Sequence, residues 1–291
     1  MKQVQPMQQD EGSNGTQAML KRTVPSTGEL LPVVGCGTWQ TFDVGASASE
    51  REPLRDVLRT LRDNGGSLID SSPMYGKAEA VIGDLLDDTG TRAKAFTATK
   101  VWTRGREAGI AQMTRSMRLL KAESLDLIQV HNLLDWQIHL PTLRDWKEKG
   151  RIRYVGVTHY TSGAHYQLAS IMRTEPIDFV QFNYALDDRV AERSLLPLAA
   201  ERGIAILVNR PFGQGALIRR LSQRPVPDFA SEIGCTTWAE LALKYLLADS
   251  AVTCIIPATR QPGHMESNAR SGADPLPNAQ MRRRILAAAG L

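Results

Sequence analysis

An acid, a phenol, an ammonium and an imidazole stand at the ends of successive apolar runs in this chain. Leu68-Ile69 stops at Asp70, and Tyr75 follows in Ser71-Ser72-Pro73-Met74-Tyr75-Gly76. Phe96-Thr97-Ala98-Thr99 leads to Lys100, and Leu127-Ile128-Gln129-Val130 leads to His131. Singly, each has a bland reading: a strand-end Asp caps the next segment, and a buried Tyr or His serves packing. Together their chemistry is coherent. A phenol is a poor acid at neutral pH with its reference pKa of about 10. A neighbouring ammonium favours the phenolate, and a carboxylate paired with that ammonium holds it in place. Such a tyrosine can protonate an alkoxide as it forms, while an imidazole donates to the same oxygen. This is machinery for interconverting a carbonyl and an alcohol. No side chain supplies hydride, so a nicotinamide is implied.

Those residues converge only if the apolar runs are strands pointing one way. Eight such runs occur, at residues 33–36, 67–70, 95–99, 125–130, 152–157, 179–182, 204–208 and 252–256. Helical patterns lie between them, at residues 49–65, 79–86, 108–120, 140–149, 164–172, 190–200 and 237–247, and Met281 and Ile285 mark a last helix. In the first, Leu54, Val57, Leu58 and Leu61 share one face. Lys149-Gly150 and Arg202-Gly203 read as C-terminal stops with glycine in the left-handed region. Residues 20–34 read as a hairpin turning at Ser26-Thr27-Gly28. Strand–helix alternation over this length predicts right-handed crossovers and a closed (β/α)8 TIM barrel with a short N-terminal β-hairpin. The alternative is an open doubly wound sheet, whose Gly-x-Gly-x-x-Gly turn is missing here. Residues 133–139 and 210–234 read as long irregular loops on the substrate side.

The bulk numbers suit an ordinary globule of 291 residues, 42% hydrophobic and 23% charged. Residues 1–18 read as a polar, disordered leader and residues 19–291 as one barrel domain. No apolar stretch approaches the roughly 20 residues that span a bilayer, so the expectation is a cytoplasmic protein without a membrane partner. Net charge is only +4. The basic run Arg282-Arg283-Arg284 is expected on a solvated face, and no nucleic-acid partner is indicated. Three cysteines stand far apart. Cys36 and Cys254 read as buried, Cys235 as partly exposed, and neither a disulfide framework nor a metal site is expected.

The motifs resemble those of the aldo-keto reductase family over residues 20–268. Gly35-Cys36-Gly37-Thr38-Trp39 is similar to the family's first-strand motif, and Asp70 to Gly76 to its Asp-x-x-x-x-Tyr-Gly signature. Thr99-Lys100-Val101-Trp102 resembles the lysine strand and Gln129-Val130-His131 the histidine strand. The resemblance implies a barrel binding NADPH, or less often NADH, with Asp70, Tyr75, Lys100 and His131 as the catalytic tetrad. It implies cofactor contacts from Gly37, Thr38 and Asp70, with Thr158, His159 and Gln181 at the carboxamide. His159 stands where the family has Asn, and Asn209 where an aromatic ring stacks on the nicotinamide. Arg210, Pro211, Gly213, Gly215 and Leu217 fall on the pyrophosphate segment. For Arg210 a salt bridge on the barrel rim is the alternative. Thr259, Arg260, His264 and Asn268 fall at the adenosine end. Ala258 and His264 stand where many members carry Lys and Arg, which widens the opening to NADH.

Trp39, Met74, Trp102 and Trp136 are expected to line the substrate pocket. The segment after the last helix is short, which suggests an open cleft for small or aromatic aldehydes and ketones. A monomer or weak oligomer is expected. The resemblance also admits a cofactor-binding regulatory or partner protein with little turnover. A Schiff-base lyase would need Lys100 in apolar surroundings, and Asp70 beside it argues against that.

Overall fold

Short strands buried almost throughout wind in chain order around a barrel in the computed structural model, which describes residues 18–291. The expected leader lies outside the described residues apart from Ala18. An antiparallel hairpin, β1 (Lys21–Thr23) and β2 (Leu30–Pro32), comes first. Eight strands follow: β3 (Cys36–Gly37), β4 (Leu68–Asp70), β5 (Phe96–Val101), β6 (Leu125–His131), β7 (Ile152–Thr158), β8 (Phe179–Asn183), β9 (Ala205–Asn209) and β10 (Val252–Ile255). Each pairs in parallel with its sequence neighbours. The ring closes where Val34 bridges Ile255 and Gly37 bridges Ala258. Gly35 N–H donates to Ile255 O at 2.8 Å, and Ile255 N–H to Val33 O at 2.9 Å. The fold is thus the (β/α)8 barrel, and the open-sheet alternative falls.

The helices are α1 (Ala48–Asp63), α2 (Ala78–Asp88), α3 (Arg106–Leu119), α4 (Trp136–Glu148), α5 (His165–Thr174), α6 (Leu195–Arg202), α7 (Ala216–Leu221), α8 (Trp238–Leu247), α9 (Pro262–Arg270) and α10 (Ala279–Ala289). In α1 the buried residues are Leu54, Val57, Leu58 and Leu61, the predicted stripe. A reciprocal cap starts α8: Thr237 Oγ1 accepts the Glu240 N–H while the Glu240 carboxylate accepts that of Thr237, an arrangement worth about 1 kcal/mol.

Period-two alternation divides the apolar residues into two cores. Outward residues such as Ile128, Val155, Val180 and Ile206 pack under the helices. Inward residues, among them Leu68, Phe96, Leu127, Tyr154, Phe179 and Leu207, fill the barrel, with Val24 and Leu31 of the hairpin segment packed against them. Gly156 sits on the inner wall. A Cβ there would lie 2.8 Å from Phe179 O and 3.1 Å from Gln129 Cγ, so the missing side chain is what lets Gln129 occupy the barrel centre.

The structure departs from the sequence reading at several points. Helix α4 begins at Trp136, earlier than the expected 140, because the segment after Asp135 already turns helical. Residues 190–200 are not one helix: Ser194 (φ −135°, ψ −65°) separates a 3-10 turn, Val190–Arg193, from α6. That break presents Glu192 to Tyr184 Oη (2.6 Å), Tyr245 Oη (3.0 Å) and Arg282 Nη2 (2.7 Å). Arg282 therefore fastens α10 to the barrel rather than lying on a solvated face. The stretch 210–234 contains α7 and a 3-10 turn, Asp228–Ile233. Cys235 is buried, packed with Ile233 and Trp238 in the outer core. Among the described residues no helix is long and apolar enough to cross a membrane.

Substituting Gly156→Ala is expected to cost about 1–3 kcal/mol, the usual penalty for overpacking a core. A lowered midpoint in urea unfolding checks this, and an unchanged midpoint would show that the inner wall can yield.

Candidate active site

Alternation places a polar residue at the last inward position of strand after strand, and these residues meet at the C-terminal mouth. Lys100, fully buried on β5, donates to Asp70 Oδ2 at 2.6 Å and to Ser71 O at 2.6 Å. An ammonium has three protons, so one is left for the nearby phenol. Lys100 Nζ lies 5.2 Å from the Tyr75 ring centre. The other carboxylate oxygen, Asp70 Oδ1, accepts from Gln129 Nε2 (3.1 Å) and Gln181 Nε2 (3.0 Å). Thr38 holds the backbone beneath, its Oγ1 donating to Asp70 O at 2.9 Å.

Tyr75 is brought to this group by the turn after β4. Gly76 (φ +60°) turns the chain where a Cβ would lie 2.4 Å from the Asp43 carboxyl, and Asp43 Oδ1 accepts the Lys77 N–H at 3.0 Å. Buried Glu79 then ties α2 to its neighbours, accepting from Thr99 Oγ1 (2.5 Å) and Ser116 Oγ (3.1 Å). Burial holds that carboxyl above the usual range despite the two hydroxyl donors. For Tyr75, burial is the largest influence and raises the phenol, outweighing the Lys100 charge that pulls it down. The sequence reading anticipated only the second of these. Burial alone would lower the Lys100 ammonium, but Asp70 and Tyr75 together leave it raised.

His131 ends β6 and meets Tyr75 edge to face, ring centres 5.9 Å apart at 84°. Burial, then the Lys100 charge, pushes its pKa down to about 2, so the ring is neutral at any ordinary pH. Ser72, which the sequence reading passed over as a turn residue, faces one ring nitrogen. Its Oγ lies 2.9 Å from His131 Nδ1 and also accepts the Met74 N–H at 3.4 Å. A hydroxyl donating to Nδ1 would leave Nε2–H as the donor into the site.

Above these groups opens a cavity of about 650 Å³. Gly37, Thr38, Asp70, Thr158, Gln181, Asn209, Arg210, Pro211 and Gly215 line it, as do Trp39, Met74 and Trp102. Asn132, Tyr160, Phe212 and Gln214 also line it, although the sequence did not single them out. Asn132, Leu133 and Asp135 all hold positive φ. Thr158 Oγ1 and Asn209 Nδ2 both donate to Gln181 Oε1, at 3.0 and 3.2 Å.

Other expected contacts lie elsewhere. Trp136 packs against the outer core at the start of α4, outside the cavity. The His159 ring also lies outside, stacked on Tyr160 with Nδ1 accepting the Thr161 N–H. The amides of Gly213, Gly215 and Leu217 close turns on Arg210 O and Phe212 O. Among the described residues Arg210 forms no rim salt bridge; its guanidinium lies 4.1 Å from the Tyr160 ring centre. Thr259, Arg260, His264 and Asn268 follow the Ile256–Pro257–Ala258 edge without lining the cavity. Arg260 donates to Gln40 O (2.9 Å) and Thr41 O (3.0 Å). His264 is exposed and Asn268 buried on α9. No group of three or more His, Cys, Asp and Glu among the described residues could hold a metal ion.

A barrel whose mouth gathers Asp70, Tyr75, Lys100 and His131 matches a known family. Residues 33–285 fit the model of the aldo/keto reductase family, and the chain belongs to that family. It is similar to methylglyoxal reductase YeaE of Escherichia coli (27% identity, covering 86% of this chain and 89% of the relative). An NADH-specific methylglyoxal reductase of the same organism is 24% identical, with 73% of each chain covered. Among solved structures, an aldo/keto reductase from Klebsiella pneumoniae in complex with NADP and acetate shares the fold, with a TM-score of 0.75, 22% identity and coverage of 91% and 94%.

Histidine side-chain ¹⁵N NMR is expected to show His131 as the neutral Nε2–H tautomer from pH 5 to 8, and Ser72→Ala to mix in the other tautomer. An Nδ1–H signal in the wild type would overturn the assignment.

Proposed function

We propose that this chain is an NAD(P)H-dependent reductase of aldehydes or ketones, with Tyr75 as the general acid. The observation that carries this reading is the buried Lys100–Asp70 pair set against Tyr75 at the base of the cavity. A reduced nicotinamide would supply the hydride. The cavity suits one chemically. Asn209 Oδ1 is a buried acceptor without a partner, beside Thr158 and Gln181, and a carboxamide offers N–H donors to such a group.

The substrate carbonyl would sit between the Tyr75 hydroxyl and His131 Nε2–H. Neutral His131 orients that oxygen and stabilises charge on it without competing for the proton. Tyr75 releases its proton to the oxygen as negative charge builds there. Lys100 stabilises the phenolate left behind, and Asp70 keeps Lys100 in place. Trp39, Met74 and Trp102 give the substrate an apolar wall and leave its selection broad.

NADPH is the favoured cofactor in this reading, with NADH accepted. The Klebsiella neighbour binds NADP, and one relative is named as NADH-specific. On this chain Arg260 is engaged by the Gln40 and Thr41 carbonyls. Those neutral carbonyls take Nε and Nη2 and leave the Arg260 charge uncancelled, so a 2′-phosphate can still be met by it, with His264 on the same segment.

Tyr75→Phe is expected to abolish turnover of small aldehydes while dinucleotide affinity, read by fluorescence titration, stays within about threefold. Because burial keeps the Tyr75 phenol protonated to higher pH, reduction by the wild type should be flat through neutral pH. It should be lost only as pH rises past the ordinary phenol value of about 10. A step near the free-histidine value of about 6.5 would contradict the neutral His131. Turnover by Tyr75→Phe equal to that of the wild type would remove Tyr75 from the mechanism.

His264→Arg is expected to raise the NADPH-to-NADH ratio of kcat/KM by about 3- to 10-fold, the worth of one partly exposed charge-assisted contact. An unchanged ratio would exclude His264 from the 2′-phosphate site.

A further inference from the structure

Arg210 follows β9 directly and carries its charge into the cavity. Its guanidinium carbon lies 4.1 Å from the Tyr160 ring centre and 5.7 Å from that of Trp39. Stacking on aromatic faces fixes the plane of a guanidinium and leaves its in-plane N–H donors free. The nearby loop carboxylates are engaged elsewhere. Asp187 pairs with Arg220, and Asp188 accepts from Ser162 and Asn183. Among the described residues Arg210 has no carboxylate partner.

The backbone is bent to aim this side chain. Arg210 has φ +51°, a left-handed conformation that is unfavourable for a non-glycine residue. Gly213 N–H donates to Arg210 O at 2.9 Å, and Asn209 Nδ2 donates to His159 O at 3.1 Å. Those bonds hold the bend. The charge also reaches the catalytic end, because it helps draw the Tyr75 phenol down against burial. Trp39 lies close to the same end, one residue after the Thr38 that holds the Asp70 backbone.

We propose that Arg210 is a specificity residue, and that the site favours carbonyl compounds bearing a carboxylate, received by the guanidinium between Trp39 and Tyr160. This rests on the reductase reading above. The pyrophosphate of the dinucleotide is the other anion that could meet the same donors, and the test separates the two.

The substrates are 4-carboxybenzaldehyde and its methyl ester, alike in shape and different in charge. The acid-to-ester ratio of kcat/KM in the wild type is expected to be about 10 to 100, the worth of a charge-assisted pair. Arg210→Met should bring it to about 1. Arg210→Lys, which keeps the charge and loses the fork, should fall between. A binding arm needs no turnover: 4-(hydroxymethyl)benzoate should bind the NADPH-saturated wild type more tightly than Arg210→Met by a similar factor. A ratio near 1 in the wild type, or one that survives in Arg210→Met, overturns the proposal. Weakened NADPH binding in Arg210→Met with the ratio unchanged also overturns it and assigns Arg210 to the pyrophosphate. If neither aldehyde is reduced yet benzoate binding depends on Arg210, the reductase reading fails and the anion subsite stands. Absence of both turnover and benzoate binding removes both.

Discussion

A full ammonium buried in the mouth of a barrel is the constraint around which this molecule is arranged. Removing one partner of such a pair costs about 3–5 kcal/mol, because a bare charge is left in a poor dielectric. Lys100 is compensated by Asp70 and by Ser71 O, and Asp70 in turn by Gln129 and Gln181. These groups come from β4, β5, β6 and β8, so the compensation exists only when four strands share one register. Lys100 stands opposite Gln129 and Thr158 opposite Gln181 in the parallel ladders. A slip of one residue would turn each inward group to the helix side. The polar cluster thus specifies the register that the apolar residues make stable.

The same burial decides the protonation states that the chemistry requires. In water, the main effect of an ammonium beside a phenol is to lower its pKa. Here desolvation is the larger effect, and Tyr75 stays protonated until something beside it takes on negative charge. Burial and the neighbouring Lys100 likewise keep His131 neutral. Ser72 adds direction, since a neutral imidazole is useful as a donor only if the correct nitrogen holds the proton. The acid, the donor and their orientation all follow from excluding water around one ion pair.

This explains what was legible in the sequence. Gln181 could be read from the family motif around it, and Asp70, Lys100 and His131 because each ends an apolar run followed by a helical pattern. The eight strands followed from the same pattern. Ser72 was hidden because a serine in a tight turn has a sufficient local explanation. Asn132 and the course of Arg210 were hidden because left-handed backbone in non-glycine residues leaves no mark in composition. Trp136 was misplaced for a related reason: α4 starts earlier than expected, and its first turn draws the ring onto the outer core. Arg282 read as solvated because its partners, Glu192, Tyr184 and Tyr245, come together only through tertiary contact.

Unpaired buried oxygens occur at both levels of the site. Asp70 and Lys100 have their partners within the barrel, so the catalytic base of the cavity is assembled by folding. Among the described residues, buried oxygens without partners include Ser71 Oγ and Gln129 Oε1 beside the ion pair and three in residues that line the cavity, Thr41 Oγ1, Asn132 Oδ1 and Asn209 Oδ1. Buried polar atoms are rarely left unpaired, and a bound molecule is one way to satisfy them. All three belong to the mouth: Thr41 and Asn132 lie in loops and Asn209 ends β9. Arg260 binds the loop carrying Thr41, while Asn209 holds the backbone of His159 beside Tyr160. Asn209 Nδ2 also donates to Gln181 Oε1, and Gln181 Nε2 to Asp70 Oδ1, so the segments that would receive a ligand are tied through Gln181 to the ion pair below.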